Sequence, residues 1–96
     1  MGAKSSSDTL SYRRIERIFK GCANHRRLQI LELLKREPEL SVIEITKKLK
    51  MGYLNASDHI RKLAIAGLVM KRSDGPAIRH KLTDRGESIL LFCKTL

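Results

Sequence analysis

The chain is 96 residues long, with 20 Lys and Arg against 10 Asp and Glu, a formal net charge of +10, and 42% hydrophobic residues. That length supports one domain, burying roughly 60 to 70% of the surface an unfolded chain exposes, and excludes a second. The hydrophobic content, with no like-charge block longer than a dipeptide, excludes a disordered basic tail; the positive excess therefore belongs to a folded surface that meets nucleic acid or an anionic membrane.

Residues 1–7 read as a disordered N-terminal tail and 8–96 as the single domain. The opening MGAKSSSDTL lacks the apolar core of a signal peptide, and no apolar run approaches the ~20 residues of a bilayer span, so a cytoplasmic protein without a membrane partner is expected. Gly2 followed by Ser6 satisfies the loose myristoylation pattern, but a plain polar terminus is the favoured reading of so short a match. Asp8 is placed to start a first helix, in which Ile15, Ile18, Phe19 and Cys22 form one stripe. Asn24 is an N-cap for a second helix lined by Leu28, Leu31 and Leu34 and widened by Ile30 and Leu33, and Pro38 stops it at or before Glu37. Ser41 and Glu44 make a capping box for a third helix with Val42, Ile45 and Leu49 inward. Only Met51 and Gly52 need separate it from a fourth, the spacing of a helix-turn-helix.

In that fourth helix Ala56, Ile60, Leu63 and Ala64 share one arc, while Asn55, Asp58, His59 and Lys62 occupy the other. Its cap is either Gly52 or Asn55, and Gly67 closes it, with Leu68 making the accompanying apolar contact. Leu68 to Arg72 and Ala77 to Leu82 are strand candidates around a hairpin turn at Asp74-Gly75. Arg79 and Lys81 alternate with Ile78, His80 and Leu82, so the two cations point together, away from the core. Thr83 or Asp84 starts a last helix, with Asp84 to Glu87 a second possible capping box and Ile89, Phe92, Cys93 and Leu96 as its stripe. The two cysteines, each among apolar residues, read as reduced packed thiols.

The segments NHRRLQILELL, SVIEITKKL and ASDHIRKLAIAGLV and the hairpin ending IRHKLT resemble, in order and spacing, winged-helix repressors of the ArsR type, over about residues 15 to 90. The closing LTDRGESIL is similar to the strand-to-helix junction of MarR-like winged helices. The resemblance implies a mainly α fold of five helices and a two-stranded wing, and a dimeric transcription regulator that binds double-stranded DNA. It also implies that Arg27 touches the DNA backbone. Metal-sensing members carry Cys-x-Cys where this chain has SVIEI, or Asp, His and Glu along the last helix, where ESILLFCKTL has neither His nor Asp. No metal and no cofactor are expected.

An α-helix fits the major groove and reads base edges from its N-terminal turns, so a recognition helix over about 53–66 places Tyr53, Leu54, Asn55 and Asp58 in reach. Asn suits adenine, an acid suits the cytosine amino group and Leu54 a thymine methyl. Packing against the third helix is favoured for Tyr53, and an i, i+4 pair with Lys62 explains Asp58 as well as base contact does. Arg27, Lys47, Lys48, Ser57, Arg61 and Lys62 are the candidate backbone contacts, and Lys71, Arg72, Arg79 and Lys81 furnish a wing over 71–81.

The three consecutive residues Ser57, Asp58 and His59 diverge by about 100° each on a helix and cannot form a triad, so no catalytic residue and no enzyme activity are expected. All three histidines read as structural. Ile15, Ile18, Phe19, Ile89, Leu90, Leu91 and Phe92 exceed what one small core uses and suggest a two-fold dimer through the terminal helices, with recognition helices ~34 Å apart. The rival readings are a winged-helix protein-interaction module and a non-specific nucleic-acid binder.

Overall fold

In the computed structural model, which describes residues 10–96, the first helix (α1) spans Tyr12–Cys22 and the second (α2) His25–Arg36. The tail 1–7, the Gly2 pattern and Asp8 lie outside the described residues. Helix α1 starts later than Asp8 would place it, after Ser11, whose side chain makes no capping bond. Asn24 caps α2 as expected, its side chain accepting from the Arg26 and Arg27 backbone N–H groups. Four residues of α2, Ile30, Leu31, Leu33 and Leu34, are buried and form the centre of the core. The helix ends at Arg36, two residues before Pro38, because proline disfavours helical backbone in the residue before it.

Ser41 and Glu44 close a reciprocal capping box on the third helix (α3), Val42–Leu49. The fourth (α4), Tyr53–Ile65, is capped by Gly52 rather than Asn55. Its end is a Schellman motif: Gly67, at φ +77°, donates to the Ala64 carbonyl and Leu68 to that of Leu63, and Leu68 is wholly buried. That use of Leu68 delays the first strand, β1, to Val69–Asp74, antiparallel to β2, Ala77–Leu82. Asp74 pairs with Ala77, so the turn is Gly75-Pro76 rather than Asp74-Gly75, with Gly75 at φ +62°. Thr83 caps the fifth helix (α5), Asp84–Cys93, by accepting from Gly86 N–H; no Asp84 box forms.

Leu40 forms a bridge to His80, a third short strand with no sequence signal in its single residue. His80 is buried in the sheet core, where its Nδ1 donates to the Leu40 carbonyl at 2.8 Å. The expected apolar stripe of α1 is only partly covered: Cys22 is buried, Ile15 and Ile18 are half-buried and Phe19 is exposed. Leu90 belongs to the core of this chain, packed with α2, and is thereby removed from the expected dimer face; Leu91 next to it is 69% exposed.

Helix α5 lies so close to the start of β1 that a Cβ on Gly86 would collide with the Leu68 carbonyl oxygen. Backbone cannot yield as a side chain can. Gly86→Ala should therefore destabilise the fold by about 2 kcal/mol and lower the melting temperature by about 10 °C, read by thermal unfolding in circular dichroism. An unchanged melting temperature contradicts this packing.

Candidate nucleic-acid interface

Helix α4 is held from beneath by Ala56, Ile60 and Leu63, all buried, which fixes the direction of its opposite face. On that face Leu54 is 81% exposed, with Asn55 exposed beside it. Tyr53 is also on the surface, at 55% exposure, and so is less covered than the packing favoured from sequence implies. Asp58 accepts from Arg61 Nη2 at 2.7 Å and lies 3.1 Å from Lys62 Nζ. Those hydrogen bonds, Arg61's first, hold its carboxyl below the usual carboxylate range. Asp58 thus organises two cations of its own helix, and Ser57 is half-buried next to it.

The turn before α4 depends on a residue that the sequence reading passed over. Lys50 caps α3 in the left-handed region, at φ +53°, without being glycine. Arg26 spans from α2 to donate Nη2 to the carbonyls of Leu49 and Lys50, at 3.0 and 3.3 Å. The charge satisfies the end of α3 where its carbonyls lack helical partners. Arg27 has the same task elsewhere. Its Nη1 donates to the Lys20 and Gly21 carbonyls at the end of α1, and its Nε to His59 Nδ1 at 3.1 Å on α4. Acceptance at Nδ1 requires a neutral His59, and burial, followed by the Arg27 charge, pushes that imidazole below its ordinary pKa. Arg85, also unpredicted, donates to the Ala66 carbonyl at the end of α4.

The wing cations separate into two groups. Arg72 faces Arg79 across the ladder and shares a face with Lys81, whereas Lys71 pairs with His80 on the other face. Arg72 is bound to Glu39 through Nε and Nη2, at 2.9 and 2.6 Å. Arg79 donates to Asp74 at 3.0 Å and to the Glu39 carbonyl at 3.1 Å, with Glu44 at 3.5 Å. Lys48 is paired with Glu37 at 3.0 Å. Among the described residues, Lys47, Lys71 and Lys81 are exposed and carry no ion pair. Among the described residues no three His, Cys, Asp or Glu side chains converge as metal ligands, and no helix is long and apolar enough to cross a membrane.

A helix, a tight turn, an outward-facing helix and a cationic hairpin on one frame define a winged helix-turn-helix domain. The chain belongs to the ArsR family of bacterial regulatory proteins, whose model matches residues 24–71, from the cap of α2 into β1. It is 34% identical over 65 residues to the arsenic resistance transcriptional regulator ArsR1 of Pseudomonas putida, a match covering 68% of this chain and 51% of that protein, about half its length. Its fold is similar to the homodimeric winged helix-turn-helix DNA-binding domain (fragment 1–100) of a possible ArsR-family regulator from Mycobacterium bovis. There the TM-score is 0.82 at 27% identity, over 99% of this chain and 88% of the other. HlyU from Vibrio cholerae superposes with a TM-score of 0.75 at 29% identity, over 85% and 89% of the two chains.

His80 ties the wing to the rest of the domain, and its protonation has a defined sign. Burial, the largest influence, pushes its pKa below the ordinary value; the Leu40 hydrogen bond opposes this and Lys71 adds to it. Between the folded and the unfolded pKa the unfolded chain binds more protons, so the stabilisation is complete above pH ~6.5 and is lost as pH falls through the folded value. The denaturation midpoint should decline on acidification from about pH 7.5 to 5, and His80→Gln, which keeps a donor for Leu40, should make that decline shallower. An equally steep decline in the variant assigns the effect to other groups.

Proposed function

We propose that this chain is a sequence-specific regulator of transcription that binds double-stranded DNA as a homodimer and acts as a repressor. Helix α4, about residues 53–66, enters the major groove, and the wing, 71–81, rests on the backbone or the adjacent minor groove. The observation that carries this reading is the fixed, exposed first turn of α4, with Leu54 and Asn55 outward over a buried Ala56. Tyr53, Leu54 and Asn55 read bases, Asn55 by a bidentate pair with adenine and Leu54 by contact with a thymine methyl. Asp58 reaches a base only by sharing its carboxylate with Arg61 and Lys62.

Lys47, Ser57, Lys71 and Lys81 meet phosphates directly, and Lys48, Arg61, Lys62, Arg72 and Arg79 do so while exchanging their carboxylate partners. Arg27, bound at three points inside the fold, acts chiefly by positioning α4. Dimerisation uses Ile15, Ile18, Phe19, Ile89, Leu91 and Phe92. Phe19, Leu91 and Phe92 are 47%, 69% and 52% exposed, and the similar Mycobacterium bovis domain is described as homodimeric. A dimer spanning two half-sites represses by occupying its operator.

Selection of bound duplexes from a random pool, followed by salt titrations, tests the DNA reading. Asn55→Ala should cut preference at one base position by ~1 to 3 kcal/mol, while Lys81→Ala weakens every duplex alike and reduces the log K against log salt slope by about 1. A flat salt dependence favours a protein-interaction module, and equal affinity for all sequences a non-specific binder. Phe19→Asp with Phe92→Asp should convert a dimer into a folded monomer in sedimentation at about micromolar concentration. A wild-type monomer there removes the two-fold arrangement.

A further inference from the structure

A cavity of about 400 Å³ lies between α1 and the C-terminal half of α4. Its origin is local. Gly21 faces Ala66 so closely that a Cβ on Gly21 would collide with the Ala66 methyl, and beside this contact point the two helices leave a cleft. Ile18, Ile65 and Ala66 supply an apolar floor, and Ile65 is 73% exposed, unusual for an isoleucine on a helix otherwise well packed. The rim carries Arg14, Arg17, Lys20, Arg27, Lys62 and Arg85, of which Lys20 is paired with Glu16 at 2.9 Å, and no carboxylate among the described residues lines the cavity itself.

The partners of these cations sharpen the picture. Arg27 and Arg85 are bonded to neutral carbonyls, so both keep their full charge. Lys62 shares one carboxylate, Asp58, with Arg61. Arg14 and Arg17 have no carboxylate partner among the described residues. A wet, cation-rimmed cleft over an apolar floor is poorly matched to either a bare inorganic anion, which gains nothing from isoleucine, or a neutral apolar molecule, which leaves the guanidinium groups unused. Both features are satisfied by one chemistry.

We propose that this cavity binds a small organic carboxylate on a compact apolar body and serves as an effector site. The guanidinium fork of Arg14 or Arg17 matches a carboxylate in bidentate fashion, and the body lies on Ile18 and Ile65. The volume falls within the range of small-molecule sites and holds a two-ring acid with room to spare. Ile18 borders both this cavity and the proposed dimer face, whereas Arg14, Arg17 and Gly21, at i, i+3 and i+7, lie on the flank of α1 turned away from Ile15 and Phe19, so the cationic side of the cavity stays open in the dimer. A bound carboxylate offsets the charge of Lys62 and Arg27 beside the recognition helix and competes for Arg27, which holds His59. Ligand and duplex therefore oppose each other. This regulatory part rests on the DNA reading above; the binding site does not.

Calorimetry of the full chain with 2-naphthoate, in the absence of DNA, tests the site. Saturable one-to-one binding is expected, with 2-naphthalenemethanol at least ~tenfold weaker, Arg14→Ala with Arg17→Ala weakening naphthoate ~tenfold or more, and Ile65→Glu abolishing it. Both sets of changes fall on exposed helix positions, and circular dichroism verifies the fold of each variant. No saturation up to about millimolar naphthoate, equal affinity for the alcohol, equal affinity of the double variant, or inorganic phosphate binding as tightly as naphthoate overturns the proposal. In a second arm, saturating naphthoate should weaken duplex binding ~fivefold or more, and by linkage duplex weakens naphthoate by the same factor. Naphthoate bound with no change in duplex affinity overturns the effector role, whereas naphthoate bound by a chain that binds no duplex overturns the DNA reading and leaves the site standing.

Discussion

Guanidinium groups seated on the carboxyl ends of helices hold this domain in its working shape. The last carbonyls of a helix have no partner within it and carry the negative end of its dipole. Here a residue from a different helix supplies the donor each time: Arg26 of α2 closes α3, Arg27 of α2 closes α1 and Arg85 of α5 closes α4. The first two tie α3 and α1 to α2, and the third ties α4 to α5. The tight turn ahead of α4, with Lys50 in the left-handed region, persists because Arg26 satisfies the carbonyls around it.

The large positive excess of the sequence is consequently not one uniform field. Part of it is structural, in the arginines just named, and part is internally neutralised, in Arg72 and Arg79 by Glu39 and Asp74 and in Arg61 and Lys62 by Asp58. Among the described residues, what is left for a polyanion includes Lys47 and Lys50 by the turn, Lys71 and Lys81 on the wing and the arginines of α1, with Arg36 and Lys94 elsewhere on the surface. Net charge alone hides this division, because it sums groups that point inward with groups that point to solvent.

Most of the fold was legible because its boundaries are chemical. Asn24, the Ser41 and Glu44 pair and Gly67 act through bonds within three or four residues, and such bonds are visible as spacing. The misses are of another kind. The Leu40 bridge, the inward fate of Leu90 and the roles of Arg26 and Arg85 come from contacts far apart in the chain, on which local periodicity is silent. The site residues divide likewise: the outward face of α4 and the shared face of Arg79 and Lys81 follow from helical and strand periodicity, whereas the pairing of Arg72 with Glu39, 33 residues earlier in the chain, has no local signal.

The single-residue bridge at Leu40 has a mechanical side. With Glu39 N–H donating to the His80 carbonyl and His80 N–H to that of Leu40, the hairpin is sewn to the segment that immediately opens α3, and α3 passes without slack into α4. Finger and rod are therefore joined like the two jaws of a calliper, their separation set by a backbone stitch and a three-residue turn, and any surface the two grasp together has to fit that width.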